Sequence, residues 1–325
     1  MIVNKVILAF MLTVGSVYAT DAELTAELFA SKGNKVLEVD SVLSNKIESA
    51  GFSIVQANKD IQNFYYEKYK EKGVESISFY DISNLKAMRP LLLKNPDFGT
   101  YTPFNFLVYK TLDKEKDDNT WYGHLAADTM LDIIGEKDEA SRKEFKEIVG
   151  KLDTLVKKEL KPTKSRKFTH TKPLPKHGLI KMVKKFDKPD DLEEFLEDFV
   201  MEHDGRFSKH DFIIAGFDDI KFNYSDMDLD FDKYDAYWVS LLCHFKFSNT
   251  IFNRGTPEAG MFAPCTVYFY ILKGENELHV GYASVNNWIN GLEFKEQKTI
   301  DYMRAIDAEA VETFKEMGFE LEVQK

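Results

Sequence analysis

Residues 95–109 read NPDFGTYTPFNFLVY, and residues 256–270 read TPEAGMFAPCTVYFY. Pro96 and Pro257, Asp97 and Glu258, Gly99 and Gly260, Pro103 and Pro264, and Tyr109 and Tyr270 fall in one register. Proline ends a helix, glycine permits a tight turn, and proline at the start of a strand sacrifices the fewest hydrogen bonds. Each stretch therefore reads as helix end, turn and strand entry. Written twice, it reads as a duplicated domain.

The surrounding periodicity agrees. In the first half, KVLEV (35–39) reads as a strand and Ser41–Ala50 as a helix stopped by Gly51. FSIVQA (52–57) and VESISFY (74–80) read as strands. SNLKAMRPLLLKN (83–95) reads as a helix capped by Ser83 and Asn84, with Pro90 expected to kink or shorten it. A hairpin and a long amphipathic helix with Phe145, Ile148, Leu152 and Leu155 on one face close the half. The second half repeats the order: strand 178–186, a helix led by Pro189 and acids, strands DFIIAGF and AYWVSLLCHFKF, a hairpin turning at Gly274-Glu275-Asn276, and a last helix ending at Gly318. The expected fold is α+β: two tandem homologous domains, each a curved antiparallel sheet with helices on one face, in the order β-α-β-β-α-β-β-α.

The expected boundaries are 20–160 for the first domain and 178–325 for the second. Between them, 161–177 is rich in Lys, Arg and Pro without hydrophobic period, the composition of a semi-extended basic linker. With 325 residues the chain has room for two cores, and a net charge of −11 disfavours nucleic acid as a partner. At the N-terminus, Lys5, an apolar run and the small residues Val17 and Ala19 follow the order of a secretory signal peptide cleaved after Ala19. That implies export, to the periplasm in a Gram-negative cell. The apolar run is short for a membrane span, and no transmembrane segment is expected.

The sequence resembles the domain-of-unknown-function 302 family, whose pattern runs Cys-Asn-Pro, helix, Leu-Pro-Cys and an apolar strand. Ser83-Asn84-Leu85 with Thr102-Pro103-Phe104 match it in the first copy. Ser248-Asn249-Thr250 with Ala263-Pro264-Cys265 match it in the second, across a shorter helix. On this alignment Ser replaces the first family Cys in both copies, and the second survives only as Cys265. The resemblance implies a curved antiparallel sheet with helices on one face and frequent pairing of domains, so that the tandem copies form a pseudo-dimer; it implies no established activity.

The residues assemble no catalytic signature: G-x-S-x-G, the Walker loop and G-x-G-x-x-G are missing, and no Cys-x-x-Cys or His-x-x-x-His suggests a metal. No cofactor or metal is expected. SDMDLDFD (225–232) reads as a charge-guarded edge strand rather than a calcium loop. Cys243 and Cys265 read as a disulfide or as two buried thiols. The expected function is that of an exported, non-catalytic binding or accessory protein for an unknown small apolar ligand, with an envelope protein–protein module and a thiol redox factor using Cys265 as alternatives. Candidate ligand residues are Ser83, Asn84, Ser248, Asn249, Cys265, Trp121, Trp288 and Phe262, with Tyr122 and Tyr268 beside them.

Overall fold

A computed structural model describes residues 22–263 and 265–323. The signal peptide reading and Pro264 lie outside the described residues. The first unit runs β1 (Glu23–Lys32), α1 (Val36–Lys46), β2 (Ser53–Asn58), α2 (Ile61–Tyr69), β3 (Val74–Ser83), α3 (Leu85–Lys94), β4 (Phe104–Thr111), β5 (Asn119–Gly123), α4 (Ala127–Ile133), α5 (Glu139–Leu160) and β6 (Lys164–His170). The second runs β7 (Leu179–Lys185), α6 (Leu192–Lys209), β8 (Phe212–Asp218), α7 (Ile220–Asp226), β9 (Tyr234–His244), α8 (Phe245–Ser248), β10 (Cys265–Leu272), β11 (Glu277–Ala283), α9 (Asn286–Gly291), α10 (Gln297–Glu316) and β12 (Glu320–Leu321).

Each unit forms a six-stranded antiparallel sheet. The orders are β2-β3-β4-β5-β1-β6 and β8-β9-β10-β11-β7-β12, which correspond strand for strand. Tyr109 pairs with Ile77 and Trp121; Tyr270 pairs with Tyr237 and His279, in the equivalent strands. The duplication read from the quoted stretches is thus a duplication of topology.

Several local readings are corrected. Residues 35–39 are the start of α1, and the first strand is β1, which precedes them. Lys164–His170, within the stretch read as linker, is the edge strand β6 and pairs with β1 along its length. SDMDLDFD is the end of α7 and a turn with Asp228 at φ 54, not an edge strand. Pro90 sits inside α3 without ending it. The long amphipathic helices α5 and α10 bury Phe145, Ile148 and Leu152, and Ile300, Met303, Ile306 and Phe314, as their period requires.

The quoted stretches do more than turn the chain. Each forms a 3-10 turn, Pro96–Tyr101 or Pro257–Phe262, and each turn packs on the other unit's sheet. A Cβ on Gly99 would lie 2.1 Å from the Tyr237 hydroxyl and 2.7 Å from Tyr268 Cβ. One on Gly260 would lie 2.9 Å from both Leu107 and Phe79. Neither glycine has a positive φ, so close approach across the seam, rather than turn geometry, excludes a side chain there. The seam also satisfies the end of α3: Tyr234 Oη donates to Leu92 O at 2.6 Å, and Lys233 Nζ donates to Leu93 O at 2.7 Å. Among the described residues no helix is long and apolar enough to cross a membrane.

Candidate functional site

Strand register revises the motif match. Tyr80 pairs with Phe106 and Ser240 with Val267, which places Ser83-Asn84 opposite Cys243-His244 in the two copies, not opposite Ser248-Asn249. The caps agree. Asn84 Oδ1 accepts from Ala87 N at 3.1 Å to start α3, and His244 Nδ1 accepts from Phe247 N at 3.2 Å to start α8. Cys243 therefore holds in the second unit the place that Ser83 holds in the first, and Cys265 does not stand alone.

Both thiols, free in the structure, line a cavity of about 40 Å³ between β9, β10 and α10, with Ser248, Trp288, Tyr282 and Phe314. Burial pushes the Cys243 thiol up to about 11 and the Cys265 thiol up to about 12. Asp307 lies in the same wall, raised to about 6 by burial although Ser284 Oγ donates to it at 2.7 Å. The space suits a water or two, not an organic ligand.

A second cavity, of about 20 Å³, lies at the seam between Phe262, Trp288, Cys265 and Asn105. Phe262 stacks on Trp288 at 5.5 Å. Of the candidate residues, then, Ser248, Cys265, Trp288 and Phe262 come together, in the core rather than around an open groove. Ser83 is a buried strand end and Asn84 a helix cap. Asn249 is buried at the seam, where its Nδ2 donates to Glu71 at 3.0 Å. Trp121 stands in the other unit, its Nε1 donating to Asp117 at 2.7 Å. Tyr122 donates to or accepts from Ser31 in the first core, and Tyr268 Oη donates to Asp97 across the seam.

Wider recesses lie elsewhere on the described residues. A polar cleft of about 420 Å³ in the first unit holds His124, Asp153, His170 and Glu23. Burial alone would lower the His124 imidazolium, but the Asp153 carboxylate, 3.1 Å away, leaves it raised. Both His124 nitrogens are engaged, Nδ1 with Leu125 O at 2.7 Å and Nε2 with Asp153, so neither is free to act as a base.

The larger recess is a groove of about 800 Å³ between α6, α7 and the start of β9. Trp238 forms its floor, stacked on Phe269 at 4.8 Å with an interplanar angle of 5°. Leu196 and Val200 of α6 form one wall and Phe217 and Phe222 the other. Met201 and Phe222 are each 65% exposed, a large apolar surface for positions that packing leaves uncovered. Its rim carries Glu193, Glu197, Asp219 and Asp235 against Lys221. Burial also raises the Asp219 carboxyl above its ordinary range. The sequence reading passed over these residues; the one available signal was apolar Ile213, Phe217 and Phe222 exposed on and after an edge strand, beside an α6 face containing Met201.

Together these features define a tandem α+β protein with a shared seam, small buried cavities and an open apolar groove. Residues 29–158, within the first unit, match the family described as domain of unknown function DUF302. That match does not extend into the second unit, whose kinship rests on its topology. Among solved structures, an uncharacterized conserved DUF302 protein from Bacillus stearothermophilus is 14% identical, over 41% of this chain and 97% of that one, with a TM-score of 0.35. No curated protein matches the chain.

Proposed function

We propose that this is an exported, non-catalytic binding protein whose ligand occupies the groove over Trp238. The groove carries the reading: its volume lies within the range of small-molecule sites, its walls are aromatic and aliphatic, and four carboxylates and one lysine border it. The excess of carboxylates there favours an amphipathic ligand with an apolar body and a neutral or cationic head. Export, to the periplasm in a Gram-negative cell, is supported by the order of charge, apolar run and small residues over 1–19.

Against a thiol redox factor stand the elevated pKa values of both cysteines, which keep them protonated at neutral pH. Native mass spectrometry of protein purified from its own host, followed by tryptophan fluorescence titration of whatever is retained, tests the groove. A retained ligand that quenches wild type but not Trp238→Phe is the expected result. A chain that carries nothing and responds to no cationic or neutral amphiphile overturns the reading.

A further inference from the structure

The two copies differ at one equivalent corner, where the β-hairpin meets the last strand. In the first copy Trp121, Asp117 and Arg166 meet: the Arg166 guanidinium lies 4.3 Å over the Trp121 ring and 3.6 Å from Asp117. Register gives their counterparts. His279 takes the place of Trp121, because Tyr109 pairs with Trp121 and Tyr270 with His279. Glu275 stands for Asp117, four residues earlier in each hairpin. Glu322 stands for Arg166: Arg166 pairs with Leu28, and Glu322 N donates to Lys181 O at the matching place beside β7. The first copy thus supplies its own cation, whereas the second supplies a carboxylate in that position and adds Glu277.

The ligand atoms of Glu275, Glu277 and His279 all lie within 4.8 Å of one another. Strand period explains the grouping, since alternate residues along β11 and its turn share one face. Glu322 Oε1 lies 2.8 Å from His279 Nδ1 and accepts a hydrogen bond from it. In the neutral imidazole this arrangement leaves the lone pair on Nε2, which is buried and has no hydrogen-bond partner. That nitrogen faces Glu277 at 3.8 Å. Tyr270 stacks on the imidazole at 4.7 Å and holds its plane. The competing cation is Lys185, 3.3 Å from Glu277 and 80% exposed.

From this geometry we propose that the corner binds a divalent transition-metal ion of the zinc class, with His279 Nε2, Glu277 and Glu275 as ligands and Glu322 as the positioning residue behind the imidazole. One nitrogen and two carboxylate donors suit such an ion and leave the remaining coordination positions to water. A carboxylate on the far imidazole nitrogen is the usual support of a metal-bound histidine. The site lies apart from the groove over Trp238, so either can fail without the other.

Calorimetric titration of the chelator-stripped full chain with Zn²⁺ tests the proposal, with Co²⁺ absorption reporting the ligand field. One ion per chain is expected, with affinity lost in His279→Ala and weakened by about 10–100-fold in Glu322→Gln. Zn²⁺ binding that is absent in wild type, or unaltered in a His279→Ala variant with native near-ultraviolet dichroism, overturns it. Should that variant misfold, the Glu275→Gln/Glu277→Gln pair replaces it. Undiminished binding there counts equally against the site.

Discussion

Asp81 lies in β3 with both carboxyl oxygens buried and without hydrogen-bond partners. Its cross-strand neighbour Asn105 has an unpartnered Oδ1 as well. Burial pushes the Asp81 carboxyl well above the ordinary carboxylate range. In the folded chain it holds a proton that the unfolded chain releases near its ordinary value of about 3.9. The folded state therefore binds more protons, and this residue's contribution is fully present below that value and lost as pH rises toward the folded pKa. Asp81→Asn should match wild type in urea denaturation at about pH 4 and exceed it at neutral pH, by ~1–3 kcal/mol. An equal difference at both pH values would show that packing, not ionisation, is responsible. The two thiols give a second residue-level test. Each cysteine keeps some accessible surface, yet burial holds its thiolate population low. At neutral pH a thiol-reactive dye should label neither in the native chain and both in denaturant. Rapid native labelling of Cys265 would revive the redox reading.

At the scale of elements, the strongly periodic segments were legible and the charged or short ones were not. Helices α5 and α10 announce themselves because one apolar stripe must face a sheet. Strand β6 reads KSRKFTH and hides as linker, because an edge strand protects itself with charge and carries no apolar alternation. Val36 and Val39 are β-branched and suggest a strand, but tertiary contact recruits them into α1, where Val39 is buried. Helix α8 has four residues, and its shortness slid the motif alignment onto Ser248-Asn249 and concealed Cys243-His244. For the groove, no pattern could reveal that α6 and α7 stand apart, since that spacing depends on tertiary packing. The glycines of the repeated stretches were legible as special, though for the wrong reason. Gly99→Ala should cost ~1–3 kcal/mol by overpacking the seam against Tyr237 and Tyr268. Gly150→Ala, in the interior of α5 with nothing within 4 Å, should stabilise by roughly 0.5–1 kcal/mol. Chemical denaturation of both variants checks the pair; equal and small effects would mean that the seam yields easily.

For the whole molecule, the seam determines whether two units behave as two domains. Its contacts run in both directions. Asn105 Nδ2 donates to Gly260 O at 2.6 Å, Tyr237 Oη to Pro96 O at 2.5 Å, and Lys181 Nζ lies 2.8 Å from Asp97. Further along, Thr25 Oγ1 donates to Gly291 O at 2.6 Å, and Asn253 Oδ1 accepts from Gly73 N at 2.7 Å. Phe79 packs against Phe252 across the same surface, with ring centroids 5.7 Å apart and planes inclined by 51°. Separating the units would expose these aromatic faces and strip partners from backbone carbonyls, including the end of α3. Local opening of one unit is therefore penalised by exposure of the other. Thermal unfolding should be a single cooperative transition, coincident by far-ultraviolet dichroism and by tryptophan fluorescence, although Trp121 lies in the first unit and Trp238 and Trp288 in the second. Gly99→Ala and Gly260→Ala should lower the one midpoint together, because each glycine belongs to one unit and packs against the other. Two resolved transitions, with each variant moving only one, would show that the seam is a contact between independent domains and not a shared core.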